Sequence, residues 1–86
     1  MKKTITLNVN GKPLHFDMTP EVYNRYIDEL QATKKVGPTQ NLLMRAVQPE
    51  DKEALKEFTG MPGGAMHIGA MLIEEYSPDL NVTVGE

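Results

Sequence analysis

Residues 4–17, Thr4-Ile5-Thr6-Leu7-Asn8-Val9-Asn10-Gly11-Lys12-Pro13-Leu14-His15-Phe16-Asp17, decide how this chain folds. The first six alternate polar with apolar side chains, the period of a strand that buries one face. Asn10-Gly11 follows, the dipeptide best able to hold positive φ at both centres of a type I′ turn. Such a turn pairs Val9 with Lys12, Leu7 with Leu14 and Ile5 with Phe16. The two large apolar pairs then fall on one face, so turn chemistry and hydrophobic pattern select the same register. Pro13 pairs with Asn8 at a non-hydrogen-bonded position, which turns its missing N–H away from the first strand. The second strand is therefore expected at an edge, and the free side of the first needs another partner.

Working outward from this hairpin (about 3–17), Met18-Thr19-Pro20-Glu21 reads as a helix start. Thr19 can cap, Pro20 suits the first helical position, and Glu21 favours the positive end of the helix dipole. Met18 and Tyr23 are spaced for a hydrophobic staple. Val22, Tyr23, Tyr26, Ile27 and Leu30 form one apolar stripe, which predicts a helix over about 20–33, fading before Gly37-Pro38. A second, short helix over about 40–47 carries Leu42, Leu43, Ala46 and Val47. Pro49 ends it and opens a third over about 50–59, with Ala54, Leu55 and Phe58 as a thin apolar face and Gly60 as its C-cap. A fourth helix, about 62–76, is apolar on nearly every side and belongs at the centre of the core. Ala65 and Gly69, four apart, let another element approach it closely. Ser77-Pro78 stops it. Leu80, Val82 and Val84 then alternate with Asn81 and Thr83, which predicts a last strand at about 80–84, pairing with the first. The order β-β-α-α-α-α-β describes one α+β domain spanning 1–86, with a three-stranded sheet and helices on one face.

Composition narrows the function. Nine Lys and Arg stand against twelve Asp and Glu, a net charge of −3. Residues 1–43 carry six basic and four acidic side chains, and residues 44–86 carry three and eight. The basic clusters, Lys2-Lys3 and Lys34-Lys35, make no stripe, so a nucleic-acid partner is not expected. There is no Cys, which removes disulfides, thiolate zinc sites and cysteine nucleophiles. Lys2-Lys3 opens like a signal peptide, but Thr6, Asn8 and Asn10 interrupt the apolar stretch that should follow. The longest run without Asp, Glu, Lys or Arg, Phe58 to Ile73, is broken by Pro62, Gly63, Gly64 and His67, so no membrane span is expected. A cytoplasmic protein is the expectation. So small a chain has to bury most of its apolar side chains, and a partner or a second copy would stabilise it further.

Enzymatic chemistry finds little footing. His15 and His67 are the two histidines, with no carboxylate at metal-ligand spacing beside them. His15 projects opposite Leu14 and Phe16 and reads as solvent-facing; His67 reads as a hydrogen-bonded interior or boundary residue. Asp28-Glu29, Glu50-Asp51 and Glu74-Glu75 are adjacent on helices, about 100° apart, and read as solvated surface rather than acid–base dyads. Gly60, Gly63 and Gly64 lack the Lys-Ser or Lys-Thr of a phosphate loop. The one serine, Ser77, lacks a nucleophile elbow. No catalytic residue, cofactor or metal is therefore assigned. The feature that stands out is Met44, Met61, Met66 and Met71 within 28 residues. Unbranched thioethers either fill cores or adapt to varied apolar partners. On one helix Met66 and Met71 point about 140° apart, so both cannot be sealed in one flat interface.

Three stretches together carry a resemblance. They are Lys3-Thr4-Ile5-Thr6-Leu7 with Asn10-Gly11; Asn41-Leu42-Leu43-Met44-Arg45 with Glu50-Asp51-Lys52-Glu53-Ala54-Leu55; and Glu74-Glu75-Tyr76-Ser77-Pro78-Asp79-Leu80 ending in Val82-Thr83-Val84-Gly85. By their order and spacing, from about residue 3 to residue 85, the chain resembles a family of small tail assembly chaperones of phages and prophages. The resemblance implies a non-enzymatic protein of the host bacterial cytoplasm. Its partner would be the tape measure protein or another tail component, whose long helices it would keep soluble during tail morphogenesis. The family brings no catalytic residues. The apolar contacts expected for such a client are Phe58, Met61, Met66 and Met71, on the third and fourth helices, and a homo-oligomer is compatible with the same role. A small virion structural or connector protein and a phage-encoded inhibitor of a host protein are the alternative roles.

Overall fold

Alternation and turn chemistry build the hairpin together. The computed structural model describes residues 2–77 and 82–85. β1 (Lys3–Val9) and β2 (Lys12–Met18) pair antiparallel, with Val9 opposite Lys12, Leu7 opposite Leu14 and Ile5 opposite Phe16. Asn10 (φ 50°) and Gly11 (φ 83°) both take the left-handed region that a type I′ turn demands. Ile5, Leu14, Phe16 and Met18 are buried and form one wall of the core.

α1 (Pro20–Glu29) begins as its residues dictate, with Pro20 in its first turn and the Thr19 hydroxyl accepting from the Val22 N–H at 3.1 Å. It ends four residues before the expected Thr33. Gln31 to Lys35 are all exposed and offer no stripe to bury, and Gln31 and Lys34 instead exchange backbone hydrogen bonds in a tight turn. α2 spans Val36–Ala46, several residues longer at its start than the expected 40–47. Gly37-Pro38 lies inside its first turn, where the backbone N–H groups have no intrahelical partner and proline removes nothing. A single turn of 3-10 helix, Pro49–Asp51, leads into α3 (Lys52–Thr59). α4 covers Gly64–Tyr76 and starts two residues later than expected, because Gly63 sits at φ 72° and breaks the helical path.

α4 is the centre of the packing, against β1, α2 and α3. Its buried stripe is Ala65, Ile68, Gly69 and Leu72. The close approach expected at Gly69 is made by α2: a Cβ there would run into Cγ2 of Thr39, which is buried. Thr39 in turn donates to the Tyr26 hydroxyl oxygen at 3.4 Å, tying α1 to the same point. Tyr23 and Tyr76 stack at a tilt, 5.7 Å between ring centroids, and join α1 to the end of α4.

The third strand expected at about 80–84 is not part of the sheet, which has two strands among the described residues. Leu80 and Asn81 lie outside those residues, while Val82 and Val84 are 82% and 91% exposed. Alternation states which face of a segment would be buried; it does not supply the surface that buries it. The outer edge of β2 is instead closed by the chain between α2 and α3. Val47 bridges Phe16, and the Gln48 N–H donates to the His15 carbonyl at 2.9 Å. Asp51 accepts from both the His15 N–H and its ring Nδ1, each at 2.8 Å. His15 and Asp51, read from sequence as solvent-facing, thus form a partly buried clip; contacts spanning 36 residues have no local signature.

Hydrogen bonds from His15 hold the Asp51 carboxyl below its ordinary range. The Thr4 hydroxyl and Gln48 amide do the same for Asp17, and the Arg45 guanidinium, bidentate at 3.2 and 3.0 Å, does so for Glu29. All three values lie lower in the folded chain than in the unfolded one. The stability they supply is complete above the ordinary carboxylate range and is lost as pH falls through the folded values.

Two outcomes follow. Gly69→Ala should destabilise the fold by about 1–3 kcal/mol despite alanine's better helix propensity, and Thr39→Ser, which removes the colliding methyl, should recover part of that loss in the double variant; additive effects in denaturant titrations would show that the two do not meet. In thermal melts across pH, Tm should fall steeply below about pH 4, and Asp51→Asn should make that fall shallower; equal acid slopes would mean the clip contributes nothing.

Candidate functional site

A helix that is apolar all round cannot bury every side against one hairpin and two helices. With Ala65, Ile68, Gly69 and Leu72 turned inward, α4 leaves Met66 and Met71 on its two flanks, 37% and 48% exposed. Met61, in the connection from α3, is 46% exposed, and Phe58 is half-buried against the core. Met18 is sealed inside and Met44 is half-buried. Three of the six methionines therefore face outward among the described residues.

The four expected contact residues do not form one surface. Phe58 and Met61 line a hollow of about 180 Å³ at the corner of α3 and α4, with Val9, Pro62, His67 and Ile68. Met71 lies in an adjoining groove of about 470 Å³ that runs between β1 and α4, lined by Thr6, Leu7, Val9, Ile68 and Glu75 among others. The two share Val9, Asn10, His67 and Ile68, so they are continuous. Met66 lies on the opposite flank of α4, in a third depression of about 350 Å³ with Tyr26, Thr39, Ala70 and Ile73. The five-residue spacing of Met66 and Met71 dictates this separation.

Sequence reasoning missed the share of β1 in these surfaces. Parity places Leu7 and Val9 on the buried face, yet both are half-buried and exposed toward the groove. His67, expected at an interior or boundary position, is exposed and lines both hollows. Glycine at position 64 lets the start of α4 approach the end of α3, since a Cβ there would collide with the Phe58 carbonyl oxygen.

The surface is suited to apolar contact more than to bond-making. His15 and Asp51 have the geometry of a base and its orienting carboxylate, but no hydroxyl is bonded to that ring among the described residues. Among those residues no three His, Asp or Glu side chains converge as metal ligands, and no helix is long and apolar enough to cross a membrane. Every buried side-chain polar atom described has a partner.

Comparison with known proteins bears on what such a surface serves. The profile of the phage tail assembly chaperone family matches residues 5–86. An uncharacterized 11.3 kDa protein in the lys 3′ region of Haemophilus phage HP1 is 31% identical over 84 residues, covering 98% of this chain and 82% of that protein. No solved structure matches the chain. The family match takes in the hairpin, all four helices and the C-terminal segment, so the chain belongs to the phage tail assembly chaperone family, with a role in phage tail assembly.

Proposed function

We propose that this member of the phage tail assembly chaperone family acts without catalysis, in the host cytoplasm, by binding helical segments of the tape measure protein while the tail is built. The observation that carries this reading is the family match over residues 5–86. The structure supports it with an apolar corner where half-buried Phe58 backs Met61, a flexible thioether that can yield to differently shaped partners.

Binding of this kind has to be reversible, because the client must be surrendered as the tail forms. A few half-exposed apolar side chains suit that requirement. Covering them removes little area from water, and at ~25 cal/mol per Å² a patch of a few hundred Å² returns only several kcal/mol before the cost of association. The acidic second half of the chain, three basic against eight acidic residues over 44–86, keeps the surroundings of the patch hydrated. Of the four expected contacts, Phe58 and Met61 share the corner, and Met66 faces away from it.

Co-expression with the tape measure protein should raise the soluble fraction of that client and allow the two to be isolated together; a client equally soluble with and without this chain would refute the role. Met61→Asp should weaken capture at least ~10-fold, about 1.4 kcal/mol, with its own melt shifted by no more than a few degrees. Met66→Asp, on the far flank, should leave capture within about twofold. Equal losses from both would place the client elsewhere.

A further inference from the structure

The outer edge of β1 is open. The pairs Lys3–Met18, Ile5–Phe16, Leu7–Leu14 and Val9–Lys12 direct their backbone groups into the hairpin, so the N–H and C=O of Thr4, Thr6 and Asn8 face away from β2. The other strand has the same phase: the outward groups of His15 are the ones that meet Asp51 and Gln48. Among the described residues no backbone or side-chain partner reaches the outward groups of Thr4, Thr6 or Asn8. Directly beside this edge runs the groove of about 470 Å³, with Leu7, Ile68 and Met71 as its apolar lining. A two-stranded hairpin is marginal by itself, and an unpaired edge beside a groove with an apolar floor and a polar rim is a template for one more strand.

The chain contains a segment of matching pattern. Val82-Thr83-Val84-Gly85 alternates apolar and polar, carries no charge, and stands off the body with Val82 and Val84 82% and 91% exposed. It does not lie on the edge of its own protomer. We propose that the C-terminal arm of a second copy adds to the outer edge of β1. Val82 and Val84 enter the groove over Ile68 and Met71, and Thr83 lies opposite Thr6 on the polar face. Reciprocal exchange of the two arms closes a two-fold dimer. Val82 to Gly85 themselves carry no charge into a groove that Glu75 already lines, and the Thr83–Thr6 pair is a favourable cross-strand neighbour. This groove adjoins the Phe58–Met61 corner through Val9, Asn10, His67 and Ile68, but the exchange of arms does not depend on the client.

The absence of cysteine makes the contact directly testable in the full chain. Thr6→Cys and Thr83→Cys, carried on separate chains and mixed under mild oxidation, should give a covalent heterodimer, since directly opposed strand residues lie within disulfide reach. The unmodified chain should sediment at twice its 9.6 kDa mass. Thr6→Pro removes an outward N–H but no hairpin bond, and Val82→Asp with Val84→Asp puts charge into the trough; each should weaken the dimer at least ~10-fold while the melt of the monomer stays within a few degrees. Any of four results overturns the proposal: a monomer at concentrations up to roughly 0.1 mM; a dimer indifferent to both sets of substitutions; a disulfide formed wholly within one chain that carries both cysteines, which assigns the edge to the chain's own arm; or rapid dimerisation of Thr6→Cys alone, which would mark β1 paired with β1.

Discussion

The two-residue turn at Asn10-Gly11 sets the parity of the hairpin, and everything else is arranged around that parity. It places Ile5, Leu14, Phe16 and Met18 on one face as the wall against which the helices pack. A slip of one residue would turn the apolar set of one strand to solvent while the other kept its face inward. The same parity decides the backbone. It aims the His15 groups of β2 at Gln48 and Asp51, and leaves Thr4, Thr6 and Asn8 of β1 with theirs directed outward. One turn thus fixes the core, the closed edge and the open edge together.

α4 carries the tension between stability and function. A small chain needs its most apolar helix at the centre, where Gly69 admits Thr39 and Leu72 is sealed. A helix apolar on all sides nevertheless has flanks that stay partly exposed among the described residues, and Met66 and Met71 occupy them. Met61 and Phe58 extend this exposed apolar character to the corner with α3. Flexible thioethers suit such flanks, because they tolerate solvent and can adopt more than one packing.

What the sequence discloses is what local chemistry controls. The hairpin register, the Thr19 cap and the intimate contact at Gly69 can each be derived from a few neighbouring residues. The ends of α1 and α2 depend on burial decided elsewhere: Gln31 to Lys35 have helical propensity but no surface to cover, and Pro38 is harmless once it falls in a first turn. The His15–Asp51 clip joins two residues that look solvated when each is judged by its own element. The apolar character of Phe58, Met61, Met66 and Met71 is legible in the sequence, but their division among three depressions depends on the rotation of α4 against β1. The alternating segment at 82–84 has the pattern of a strand, and pattern cannot name the edge it would join.

The clip has one more consequence. Because Val47, Gln48 and Asp51 occupy the far side of β2, the hairpin is monovalent as a template: hydrogen-bonded growth can proceed from one side only. A ribbon open on both sides could template strand addition from either edge. With the β2 side stoppered, any sheet extension has to start at β1.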